Sequence, residues 1–163
     1  MHDHVGEATA PAWTVAVEHS ALGLAMRSSD WLYPAVETGH ILSFVALVGA
    51  IVVYDLRILG LRPAVPPLEL ARLAIPVSGA ALVGAVATGI ALFTAEASTY
   101  VTNAVFLVKL WLLALAALNV AWVHAAVRPF SDRPIGAAAR AGAVLSLALW
   151  PTVVVCGRLI AYL

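Results

Sequence analysis

Glu37 and His40 stand three residues apart in WLYPAVETGHILSFVALVGAIVVYDLRILG, residues 31–60. On a helix that spacing puts both side chains on one face. A carboxylate beside an imidazole fixes its tautomer and raises its basicity, as it does for histidines that bind metals. An ionisable group inside a bilayer-crossing run costs roughly 2.5–3.5 kcal/mol on insertion scales, so each such group is a functional candidate. Two cations, Lys109 and Arg158, stand in other apolar runs. Beside His40 they would suit an anionic group on a bound ligand. His124 follows Lys109 by fifteen residues, the interval that separates Asp55 from His40.

These residues need elements to hold them, and composition says of what kind. The 163-residue chain is 63% hydrophobic and 11% charged, with a mean hydropathy of +0.96. A water-facing domain carries about 25% charge, so the expected class is all-α and integral to a membrane. About twenty apolar residues of helix cross the ~30 Å hydrocarbon core. Four runs are long enough, at about 32–59, 73–95, 104–126 and 137–161, and they predict a four-helix bundle in a single domain over residues 1–163. An additional short helix is expected over 12–29, lying at the surface or leaning into the bundle mouth. On one continuous helix its Glu18 and Arg27 would point to opposite sides. Ala80, Gly84 and Thr88 recur every fourth residue in the second run, a small-residue stripe that reads as helix packing rather than chemistry. Pro151, inside the fourth run, is expected to kink it.

Antiparallel spans then sort the polar groups into two layers about 22 Å apart. The outer layer holds Glu37, His40, Lys109 and Arg158, joined by Glu18. The inner layer holds Asp55, Arg57 and His124, with Asn119 a little deeper. Asp55 and Arg57 read as a charge-neutral anchor at a helix end, and His124 as a wetted helix-end residue. Arg57, Arg62 and Arg72 surround the first loop and Arg128, Arg133 and Arg140 the third. The positive-inside bias therefore predicts cytoplasmic loops and, in a bacterial inner membrane, N- and C-termini on the periplasmic side. The lone Cys156 reads as a small buried hydrophobe. The N-terminal twelve residues lack the cationic region of a signal peptide. The formal net charge is zero and there is no basic run, which argues against nucleic acid.

WLYPAVETGHILSFVALVGAIVVYDLRILGLR, the lysine of FLVKLWLLALAALN and the terminal CGRLIAYL resemble a family of small uncharacterised bacterial four-helix membrane proteins. More distantly, a histidine early in the first span before a glycine-containing apolar run is similar to the copper-resistance D family. His40, Lys109 and His124 together resemble the pattern of HemJ-type protoporphyrinogen oxidases, which are four-helix membrane enzymes containing haem b. Phe44 to Leu47 stand where that pattern has a tryptophan. This last resemblance implies His40 as an axial haem ligand and Lys109 as a site residue.

The leading expectation is a haem-b-binding or redox-associated bundle with cofactor-binding candidates His40, Lys109, Glu37, Arg158, His124 and His19, since bundles place cofactors between facing helices. His124 is too far along the bundle to share one haem with His40, which leaves a single histidine or a contribution from His19. The second expectation is copper handling through His40 with Glu37, His2 and His4. Copper sites favour clustered His, Met and Cys, and the chain has only Met1, Met26 and Cys156 besides its histidines. The third is a non-catalytic subunit or scaffold whose polar layers join helices. Expected partners are the lipid bilayer and a membrane redox protein or a second copy of the chain.

Overall fold

The computed structural model describes residues 10–127, 135–160 and 162, with side chains up to residue 123 in the first of these stretches. Every regular element among them is helical: α1 (Ala12–Glu18), α2 (Ala21–Ser28), α3 (Leu32–Ile58), α4 (Pro67–Ala95), α5 (Ala97–Thr102), α6 (Ala104–Val127) and α7 (Ala137–Leu159). The four long helices are long and apolar enough to cross a membrane, and the protein is an integral membrane helical bundle. Leu42, Val45, Leu73, Val83, Trp111 and Leu118 are all more than 60% exposed on the outside of the bundle, a surface suited to lipid rather than water.

Local chemistry sets each boundary. The Ser29 hydroxyl accepts the amide of Leu32 at 3.2 Å where α3 begins. At the other end Gly60, with φ of +106°, closes α3 in a Schellman motif: its amide donates to Arg57 and that of Leu61 to Leu56. Arg57 then donates from Nε to the Val65 carbonyl and from Nη2 to that of Pro63, tying the loop back onto the helix.

α4 starts six residues before the expected position 73 because Pro67 occupies its first turn, where a missing N–H is harmless and φ is already helical. Glu69 adds an anion to the positive end and pairs with Arg72 at 2.9 Å, so this polar stretch is helix rather than loop. Both Pro76 and Pro151 lie inside helices that continue past them.

The segment expected as one helix over 12–29 is two. Ser20 breaks it, its side chain accepting the Gly23 amide at 3.2 Å as the cap of α2. The chain turns there, so Arg27 comes back to Glu18, donating to its carbonyl oxygen at 2.6 Å and lying 3.7 Å from its carboxylate. A Cβ built on Gly23 would stand 2.5 Å from the Glu18 carbonyl oxygen and 2.7 Å from that of Thr94. Glycine is what lets α2 press between the end of α1 and the end of α4. The link between the second and third runs likewise contains a helix, α5, and Asn103 accepts the Phe106 amide where α6 begins.

α3 packs chiefly on α4 and α6 on α7, and the two pairs join along α3 and α7. Leu47, Ala81, Ala116, Leu149 and Trp150 form the middle of the core. Tyr54, Ile58, Ala71, Ala74, Val123, Ala139 and Ala143 form a second cluster toward the loop between α3 and α4. The opposite end is capped by α1, α2 and α5. There Phe93 stacks on Trp13, Tyr100 and Phe106 with ring centroids 5.9–6.3 Å apart. Thr14 shares a hydrogen bond with Ser98 at 2.8 Å beneath this cap.

Candidate functional site

His40 is half-buried where α3 meets α4, and its closest partner is on α4 rather than on its own helix. Its Nδ1 lies 3.0 Å from Thr88 Oγ1. The Thr88 hydroxyl donates to the Gly84 carbonyl at 2.6 Å, the back-bond that threonine makes in helices. With that proton committed, Thr88 Oγ1 accepts from His40. The network therefore assigns the hydrogen to Nδ1 and the lone pair to Nε2.

Close packing holds the ring in this position. A Cβ on Gly89 would stand 3.1 Å from His40 Cε1, and one on Gly84 would stand 2.7 Å from Ser43 Oγ. The small-residue stripe on α4 thus brings the backbones together and also supplies the atom that orients the imidazole. The stripe packs the helices as expected, and its Thr88 also bonds the imidazole.

Phe44, one turn after His40, lies with its ring centroid 5.1 Å from the imidazole. The Lys109 ammonium sits 5.5 Å from the centroid of the same ring, a cation–π contact. Lys109 comes from α6 and its Nζ also packs on α7, where a Cβ on Gly157 would approach it to 3.3 Å. His40, Phe44 and Lys109 therefore form one group across α3 and α6. Among the described residues Lys109 makes no ion pair.

The other outer-layer candidates do not join them. Glu37 is exposed, and the partner of the imidazole is Thr88 rather than the carboxylate expected to orient it. A spacing of three residues allows the Glu37–His40 contact but does not compel it, and Thr88 takes its place. Arg158 is exposed at the end of α7, where it donates to the Tyr162 hydroxyl at 2.7 Å and lies 5.0 Å over that ring. His19 is exposed at the end of α1 and brings no second ligand to His40. His124 falls within α6, but its side chain lies outside the described residues, as do His2 and His4.

Glu18 belongs to the cap. Its Oε1 accepts the Ser98 amide at 2.7 Å. That bond holds its carboxyl below the ordinary value of 4.5, with Arg27 adding to the effect. Burial of Tyr100 pushes its phenol up, helped by its bond with Tyr33 and the nearby Glu96 and Glu37 carboxylates. These residues stabilise the capped end.

The inner layer differs more from expectation. Arg57 does anchor a loop, but Asp55 is no headgroup partner: it is 3% exposed and turned into the bundle. Residues two apart on a helix point about 200° away from each other, so Asp55 and Arg57 cannot serve the same surface. Asp55 instead lines a cavity of about 30 Å³ with Ile51, Tyr54, Asn119, Val120, Val123 and Ser146. Asn119 donates to the Gly142 carbonyl at 2.9 Å, joining α6 to α7.

The signal for Asp55 was available in the sequence, since 47, 51, 54, 55 and 58 fall on one helical stripe and four of the five are apolar or aromatic. Ser146 and Thr88 carried no such signal, because hydroxyl residues are common on packing faces.

Among the described residues no three His, Cys, Asp or Glu side chains form a group able to hold a metal ion. Comparison of the chain with protein-family models, with curated proteins and with solved structures finds no match.

Proposed function

We propose that the protein is a small redox-associated membrane bundle that holds a b-type haem through a single histidine, His40, near its capped end. The observation that carries this reading is the hydrogen-bonding of the imidazole. With Nδ1–H donated to Thr88 and Thr88 committed to Gly84, Nε2 is the lone-pair nitrogen that an iron ligand requires. The donor set fits haem better than an all-protein metal site. One oriented imidazole supports an iron that the macrocycle already coordinates four times, whereas copper would need several clustered protein donors. Lys109, with no carboxylate paired to it among the described residues, fits a haem propionate.

When bound, such a group would supply one-electron chemistry at the membrane. The protein's own residues do the rest. Thr88 fixes the tautomer, Gly89 and Phe44 wall the ring, and the surrounding apolar helices keep bulk water from it. The reading extends to location, an inner membrane with the capped end and both termini toward the periplasm, and Arg57, Arg62, Arg72 and Arg140 near the opposite end support that sidedness. Partners on this reading are a membrane electron donor or acceptor, or a second copy of the chain.

The test is expression with haem supply, purification in detergent, and haem quantified per chain for the wild type and His40→Ala. A wild-type Soret band near one haem per chain and its loss in the variant are expected. Wild-type protein without Soret absorbance would refute the reading.

A further inference from the structure

The inner cavity has no part in the chemistry assigned to His40. Its carboxyl, Asp55, is 3% exposed, and Ser146 opposite it on α7 is 2% exposed. Ser146 faces the carboxyl, yet neither its Oγ nor Asp55 Oδ2 completes a hydrogen bond, and Trp150 Nε1, one turn further along α7, is a third buried polar atom without a partner. Asn119 lines the third wall, its Nδ2 donating to the Gly142 carbonyl.

The facing groups contain no cation among the described residues. α4 contributes Ala71 and Ala74, and α6 contributes Asn119 and Val123. α7 contributes Ser146, and α3 itself Tyr54 and Ile51. Arg57 is held by the carbonyls of Val65 and Pro63, Arg72 by Glu69, and Arg140 is exposed. An isolated carboxylate in such a place is costly, and the common resolution is to bind a proton.

We propose that Asp55 is a proton-binding site, its carboxyl neutral at neutral pH and hydrogen-bonded through water in the cavity it shares with Ser146 and Asn119. A cavity of about 30 Å³ admits a water, which needs two to four polar partners, and Asp55 Oδ2 and Ser146 Oγ supply two. Asp55 lies three residues from the end of α3, roughly 4.5 Å along the helix, so the proton comes from water on the loop side. The carboxylate gains one proton and one O–H bond. No electron moves, and release reverses the step.

The experiment is infrared spectroscopy of the full chain in detergent or nanodiscs, with Asp55→Asn and Ser146→Ala alongside. At neutral pH the wild type should show a protonated-carboxyl C=O band that shifts in D₂O, disappears in Asp55→Asn and moves in frequency in Ser146→Ala. Loss of only carboxylate bands in Asp55→Asn would overturn the proposal. Carbon-13 NMR of the wild type with labelled aspartate side chains gives the same answer without a variant. The chain has four aspartates, Asp3, Asp30, Asp55 and Asp132, and one signal should remain protonated at neutral pH. Four ionised signals, whether through His124 or any other cause, would refute it. Neither readout involves haem, so this proposal stands or falls apart from the reading of His40.

Discussion

Replacing Thr88 with valine keeps the shape of the side chain and removes the hydrogen bonds of its hydroxyl with His40, the Gly84 carbonyl and, at 3.3 Å, the Ala85 carbonyl. The Gly84 carbonyl loses only a back-bond, since it already takes part in the helix. His40 loses the acceptor that fixes its tautomer, leaving the Ala85 carbonyl as the acceptor facing the ring. Buried hydrogen bonds between membrane helices average about 0.6 kcal/mol and reach about 1.7, so the bundle should remain folded with a modest fall in stability.

Ligand affinity should suffer more. Loss of the group that orients a ligating histidine lowers affinity roughly 10–100-fold, or about 1.4–2.7 kcal/mol. Nitrogen-15 NMR of labelled histidine should show Nδ1 protonated in wild type and a mixture in Thr88→Val. Haem titration should show the affinity loss, and Thr88→Ser, which keeps the hydroxyl, should retain affinity. An unchanged tautomer together with unchanged affinity in Thr88→Val would show that Thr88 does not orient His40.

Gly23→Ala should cost about 1–3 kcal/mol, because its Cβ would run into the Glu18 and Thr94 carbonyl oxygens and neither belongs to a flexible side chain; thermal unfolding in detergent measures it. Gly142→Ala should cost a similar ~1–3 kcal/mol, since its Cβ would collide with a Val123 methyl and disturb the Asn119 bond; a wild-type melting temperature would count against the α6–α7 packing described. Glu18 has a folded value held below its ordinary 4.5, so its contribution is complete above that value and is lost as pH falls through the lowered one. The melting temperature of wild type should therefore decline on acidification through that window more steeply than that of Glu18→Gln, and parallel declines would show that the Ser98 bond does not matter.

The four spans were legible because hydropathy and length in a bilayer leave few alternatives. Boundaries were less so. Pro66 and Pro67 resemble a loop in sequence but act as helix starters, and Ser20 is a cap only if the chain turns there. At the site, His40 and Lys109 were legible as ionisable residues within apolar spans, and both are half-buried beside Phe44. Partners were not, because a helix face has several neighbours and sequence spacing names only those on the same helix. Glu37 was the neighbour at i−3, while the actual partner, Thr88, lies forty-eight residues away on α4. Asp55 was misread because Arg57 nearby made a charge-neutral anchor plausible, although the helical period separates the two.

On the proposed function, His40 alone would hold the haem iron, through Nε2. Electron paramagnetic resonance of the ferric, haem-loaded protein tests it most directly, with His40→Gly examined before and after adding imidazole. One protein ligand predicts a high-spin signal in wild type, loss of bound haem in His40→Gly, and its recovery with imidazole. A low-spin, two-histidine signal, or a wild-type signal that persists in His40→Gly without imidazole, would contradict the account.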